Sequence, residues 1–136
     1  MKIFFFTNYA LVLLLLFILP ISSLVSGRKH VYIMNRLGNG QSMNVHCQSG
    51  DDDLGNQVLA DGDEFGWAFS TNTLGTTLFY CNVNWFKNDW FHFDAYSHER
   101  DWSRCRSECR WRVSEDGLYL HNQKNGEWEA MPLLRA

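Results

Sequence analysis

Four sets of side chains in this 136-residue sequence could do chemistry: four cysteines, an aspartate triplet, five histidines and six tryptophans. Asp51, Asp52 and Asp53 offer the oxygen ligands that Ca²⁺ prefers. Calcium loops, however, space their ligands at alternate positions and add a distant glutamate, and consecutive aspartates do not all face one ion. The triplet therefore reads as an Asx-type turn, its side chains bonding nearby backbone N–H groups. No metal and no cofactor is expected. The histidines, His30, His46, His92, His98 and His121, are dispersed. General acid–base catalysis needs two groups within reach of one substrate atom. Strand alternation turns His46 and His92 away from the inward faces of their strands, into solvent. A Gly-x-Ser-x-Gly elbow and a Gly-rich phosphate loop are both missing from the sequence. These residues predict a protein that is not an enzyme.

Cys47, Cys81, Cys105 and Cys109 all follow an apolar N-terminal run. Lys2 supplies a positive start, Leu11 to Leu19 an unbroken apolar stretch, and Val25-Ser26-Gly27 a small-residue exit. That order describes a secretory signal cleaved after Gly27, leaving residues 28–136 as a single secreted domain. An uncleaved anchor is the competing reading, but Pro20 and Ser22-Ser23 end the run early. An even cysteine count in an oxidising compartment predicts two disulfides. Zinc sites pair close cysteines at both ends, whereas here only Cys105 and Cys109 are close. Cysteines committed to disulfides are not thiolate nucleophiles. Alternation puts Cys47, Cys81 and Cys109 inward, with Cys105 in a loop. Three connectivities are open, and loop-closure entropy favours Cys47 or Cys81 paired with Cys109.

Lys2 is the only charged residue of the leader, so removing it shifts the net charge from −3 to −4 with histidines neutral. With 15 Asp+Glu and no basic run, the chain lacks the surface that neutralises phosphates, and nucleic-acid binding is not expected. No Asn-x-Ser/Thr sequon occurs.

The elements that position these residues follow from alternation. Val31 and Ile33 mark a first strand, and Met43, Val45 and Cys47 one face of a second. Gln57 to Ala60 is a short strand at best. Phe65, Trp67 and Phe69 share one face of the next. Thr77, Phe79, Cys81, Val83 and Trp85 give the clearest period-2 run. Trp90 to Tyr96, Cys109 to Val113, Leu118 to His121 and Trp128 to Met131 complete the set, with hairpin signals at Asp116-Gly117 and Asn125-Gly126. Ser97 to Arg104 is charged and reads as a loop. About eight short strands with regular turns predict an all-β antiparallel β-sandwich.

Trp67, Trp85 and Trp111 share faces with core residues. Trp90 and Trp102 stand at turns beside Asp89 and Asp101, and exposed tryptophan flanked by charge is the composition of a binding hot spot. The expected partner-facing surface is therefore two loops: Lys87, Asn88, Asp89 and Trp90 in one, Arg100, Asp101 and Trp102 in the other.

Several blocks together resemble the plant self-incompatibility S-protein homologue family. They are His46-Cys47 with Asp51-Asp52-Asp53-Leu54-Gly55, Phe65-x-Trp67-x-Phe69, Thr76 to Cys81 with Trp85, Phe93-x-x-Tyr96, Arg100-Asp101, Cys105-x3-Cys109-x-Trp111, and Asp116-Gly117-Leu118-Tyr119. Val31-x-Ile33-x-Asn35-x-Leu37 opens the series. Gly50 departs from the family's habit of a charged residue before the acidic triplet. The resemblance implies a small secreted β-sandwich with two disulfides that acts as an extracellular signalling ligand for a plasma-membrane receptor. Founding members are pistil determinants of pollen rejection. The rival readings are a carbohydrate-binding protein, with exposed aromatics as sugar platforms, and a growth-inhibiting effector acting on membranes. The absence of a cationic amphipathic segment after the leader disfavours the latter. A monomer is expected.

Overall fold

The computed structural model describes residues 28–136; the expected leader lies outside the described residues. Ten strands form two five-stranded sheets. In chain order they are β1 (Arg28–Asn35), β2 (Met43–Gln48), β3 (Asp53–Leu59), β4 (Glu64–Ser70), β5 (Leu78–Asn84) and β6 (Phe91–Ser97). A single helical turn, α1 (His98–Asp101), precedes β7 (Glu108–Ser114), β8 (Gly117–His121), β9 (Trp128–Met131) and β10 (Leu134–Arg135). The first sheet has the order β4-β1-β7-β8-β9 and the second β10-β6-β5-β2-β3.

Alternation builds the core. Val31 lies opposite Trp67 on one side and Cys109 on the other, and Ile33 opposite Phe65 and Trp111. The second sheet answers with the row Val45, Val83 and Phe91. Val31, Ile33, Val45, Val83, Trp111 and Leu120 are fully buried between the sheets. Burying six such side chains stabilises the fold by about 1.5–3 kcal/mol for each aliphatic one, before chain entropy is set against it. The buried Trp111 indole needs a partner and finds one, donating from Nε1 to the Ala95 carbonyl at 2.8 Å.

The expected sandwich is therefore present, with two more strands than the eight expected. The additional pairing comes from a full β3 and the two-residue β10, both at edges of the second sheet. The segment expected to loop out after β6 contains α1, closed by the Trp102 N–H donating to the His98 carbonyl at 3.0 Å. β1 and β7 run parallel, the one such pair among the described strands. Gly66 on the edge strand β4 has a packing reason: a Cβ there would come within 2.6 Å of the Tyr32 ring.

The disulfides are Cys47–Cys81 and Cys105–Cys109, which corrects the expected pairing of Cys109 with a β2 or β5 cysteine. Cys47 lies directly opposite Cys81 on adjacent strands, with Cα atoms 4.0 Å apart. Cys109 belongs to the other sheet, about 10 Å away, beyond the usual Cα span of a disulfide. The turn at α1 brings Cys105 back to it, the Cys105 N–H bonding the Asp101 carbonyl at 3.0 Å. Entropy of the unfolded chain ranks loops by length, but native sheet spacing decides which sulfurs meet.

Candidate functional site

Strand directions divide the loops into two groups. The β1–β2, β3–β4 and β5–β6 loops and the β7–β8 turn gather at one end. The β2–β3, β4–β5 and β8–β9 loops and α1 gather at the other. The two segments expected to form one surface are thereby separated. Lys87, Asn88, Asp89 and Trp90 lead into β6 and Arg100, Asp101 and Trp102 follow it, so seven strand residues keep them roughly 23 Å apart.

At the first end Lys87 takes a left-handed backbone conformation (φ 51°), and the Asn84 amide donates to the Lys87 carbonyl at 3.1 Å and the Asp89 carbonyl at 2.8 Å. Asn88 and Asp89 are exposed, and Trp90 is 37% exposed.

At the α1 end Asp101 is fully buried, which removes it from the expected contact surface. Its Oδ2 accepts the Ser97 N–H at 2.9 Å. The Arg100 guanidinium grips both oxygens, with Nε 2.7 Å from Oδ1 and Nη2 2.6 Å from Oδ2. The same guanidinium donates to the Asp94 carbonyl at 2.7 Å and lies 5.2 Å from the Trp111 ring centroid. Arg100 is thus a structural clamp as well. Lys29, which nothing in the local sequence marks, is only 7% exposed and donates to the Cys105 and Arg106 carbonyls at 3.2 and 2.8 Å. Burial pulls its pKa below the ordinary lysine value, while Asp101 opposes the shift. A charged side chain packs here because backbone carbonyls and a buried carboxylate surround it.

On this frame sit exposed apolar groups. Trp102 is 54% exposed and Leu74 84%, and both line an open depression of about 570 Å³ with His98 and Glu99. The β4–β5 loop that carries Leu74 is held by Asn72: its Oδ1 accepts the Thr76 N–H and its Nδ2 donates to Thr76 Oγ1, both at 2.9 Å. A second depression, about 700 Å³, adjoins it through Asn72 and is bordered by Asp51 and Asp52. No lysine or arginine lines either one.

The acidic triplet is the turn expected, with divided labour. Ser49 Oγ accepts the N–H groups of Asp51 and Asp52 at 3.3 and 3.1 Å, leaving those carboxylates free in solvent. Asp53 alone makes the Asx contact, accepting the Gly55 N–H at 2.9 Å. It also contacts His46 Nε2 at 2.6 Å. The Gly55 N–H foremost, then His46, holds the Asp53 carboxyl below its ordinary value. His46 and His92 lie on one outer face with Asn82 between them, about two strand spacings or 10 Å apart, so they do not converge on one atom.

Comparison with known proteins rests on the whole domain: residues 30–132 match the family model of plant self-incompatibility protein S1. The chain belongs to this family. Self-incompatibility protein S1 of Papaver rhoeas is 38% identical over 128 residues, covering 93% of this chain and 92% of that protein. S-protein homolog 3 of Arabidopsis thaliana is 42% identical over 103 residues, covering 74% of this chain and 68% of the homolog. A solved structure of an SPH (Self-Incompatibility Protein Homologue) protein superposes with a TM-score of 0.56 at 19% identity, over 80% of this chain and 91% of that one. That structure is described as representing small, highly stable, secreted plant proteins, and its fold is the one found here. The S1 family is a secreted one, which suits a domain whose four cysteines are all oxidised.

Proposed function

We propose that the protein is an extracellular signalling ligand, acting as a monomer and not as an enzyme, and recognised by a plasma-membrane receptor through the loops of its α1 end. The observation that carries this reading is the exposed pair Leu74 and Trp102, set beside Asp51, Asp52 and Glu99 and held from below by Asp101, Lys29 and Cys105–Cys109. A large aromatic on a pre-ordered loop loses little entropy on binding, which is the property of a hot spot. The acidic rim calls for a basic receptor surface and for association that weakens with salt. Membership of the S1 family supports a recognition role.

The test is saturable binding of the fluorescently labelled, leader-free protein to plant protoplasts, challenged with excess unlabelled protein. Trp102→Ala and Leu74→Ser should each weaken that binding about tenfold or more, a loss of at least about 1.4 kcal/mol per substitution. Their unfolding free energies should stay within about 0.5 kcal/mol of the parent, because both side chains are exposed. Undiminished binding by both variants would sink the placement at the α1 end. Dye release from liposomes would instead favour the membrane-acting reading.

A further inference from the structure

The two outer sheet faces differ in chemistry. That of the first sheet carries arginines stacked on aromatics: Arg110 lies 4.6 Å from the Tyr32 ring, and Arg112 sits 4.6 and 4.9 Å from the Tyr119 and Trp128 rings. On the second sheet, β2, β3, β5 and β6 contain no lysine or arginine. Strand register instead sets Asn56, His46, Asn82 and His92 side by side in one row across those strands. The row spans about 14 Å.

Two members of the row are held by their neighbours. His46 Nε2 is engaged by Asp53, which leaves Nδ1 without a side-chain hydrogen bond among the described residues. Asn82 Oδ1 meets His92 Nδ1 at 2.9 Å, which leaves the Asn82 NH₂ to donate outward. The exposed Asn56 amide makes no side-chain hydrogen bond among the described residues. Trp90 and Ala136 join Asn56, His46 and Asn82 in lining an open groove of about 430 Å³, while His92, at the end of the row, lines a neighbouring depression with Asp94 and Leu134.

From this geometry we infer a binding site for a neutral oligosaccharide, one or two sugar rings lying along the groove against Trp90. The held His46 imidazole and Asn82 amide, with the unengaged Asn56 amide beside them, match the paired donor and acceptor sites of vicinal hydroxyls. The indole wall matches the apolar C–H face of a sugar ring. A lipid surface would require an apolar face, and an acidic polysaccharide would require cations, whereas no lysine or arginine lines this groove. The site lies at the opposite end of β6 from Trp102 and is independent of the receptor reading.

The test titrates the leader-free protein with cellotetraose, mannotetraose and a xyloglucan heptasaccharide, with an oligogalacturonide as the anionic comparator, following amide NMR shifts and tryptophan fluorescence. At least one neutral sugar should bind with Kd below about 1 mM, shifting residues of the Asn56–His92 row. Trp90→Ala and Asn56→Ala should each weaken it about tenfold, whereas Trp102→Ala should leave it unchanged. Asn56 makes no structural hydrogen bond, so its variant keeps the fold and isolates the contact. Failure of all three neutral sugars, tighter binding of the oligogalacturonide, or undiminished binding by both variants would overturn the proposal. Loss of protoplast binding in Trp102→Ala with sugar binding intact would separate the two sites.

Discussion

Each end of the sandwich is organised around one fully buried polar side chain, neutral Asn35 at the β1–β2 end and charged Asp101 at the α1 end. Asn35 donates to the Gln41 and Leu59 carbonyls at 2.8 and 3.0 Å and accepts the Leu37 N–H at 3.0 Å, tying three segments with one amide. Asp61 completes that end by accepting the N–H groups of Gly38 and Gly40. The β1–β2 and β3–β4 loops thereby bond mainly to each other. At the α1 end the anchor is ionic, Arg100 and Asp101 with Lys29 nearby, and Cys105–Cys109 follows directly on α1, whereas Cys47–Cys81 joins β2 to the middle of β5. The difference teaches where the fold invests rigidity. A neutral amide suffices for loops that close on themselves, whereas loops that display Leu74 and Trp102 stand on a charge pair and the short Cys105–Cys109 cross-link.

The comparison can be broken most directly at its two anchors. Asp101→Ala leaves the Arg100 guanidinium without its carboxylate and should cost about 3–5 kcal/mol by denaturant unfolding. Asn35→Ala leaves one N–H and two carbonyls unpaired and should cost less, about 2–3 kcal/mol. Equal costs, or the reverse order, would remove the distinction between the ends. The cross-links come next. Chain-entropy scaling gives about 4 kcal/mol for the Cys47–Cys81 bridge, which closes a separation of 34 residues, and about 2 kcal/mol for Cys105–Cys109, which closes 4. Paired alanine substitutions, compared by thermal unfolding, should follow that order. If removing the short bridge abolishes protoplast binding while the long bridge is dispensable for it, the α1 end is the recognition end.

The smallest effect concerns Tyr96, whose buried hydroxyl has no hydrogen-bond partner among the described residues. Burial first, then Asp101, pushes its pKa up to about 12. The unfolded chain loses this proton near pH 10 and the folded chain only near 12, so the tyrosine's contribution is intact below 10 and lost as pH rises towards 12. Tyr96→Phe should be close to neutral at pH 7 and should flatten the alkaline limb of stability between pH 10 and 12. An unchanged alkaline limb would assign that loss to other groups.

The strands were legible because alternation is a local signal: Val31 and Ile33, Val45 and Cys47, and Cys81 and Val83 are inward as expected. The separation of the two expected contact loops was also legible in principle. A seven-residue strand from Phe91 to Ser97 already puts its flanks at opposite ends. The roles of Lys29 and Asp101 were not legible: Lys29 is held by carbonyls 76 and 77 residues away, and Asp101, though its partners Ser97 and Arg100 are neighbours in sequence, is buried only because the chain turns at α1 in the assembled fold. A charged residue read alone looks solvated. The disulfide pairing failed for the same reason, since sheet membership of β7 is a property of the assembled fold. The Asn56–His92 row needed register as well as alternation: each residue is legible as outward, but only β2–β3, β2–β5 and β5–β6 pairing aligns them.

The position of β1 between β4 and β7 bears on biogenesis. During synthesis β1 is the first described strand to emerge, yet its parallel partner β7 is among the last third of the chain. Val31 and Ile33 can pair early with β4, but one edge of β1 stays open until translocation is nearly complete. Such delayed, non-local closure is slow and exposes an aggregation-prone edge. The S-type sandwich should therefore lean on lumenal chaperones for as long as its seventh strand is still arriving.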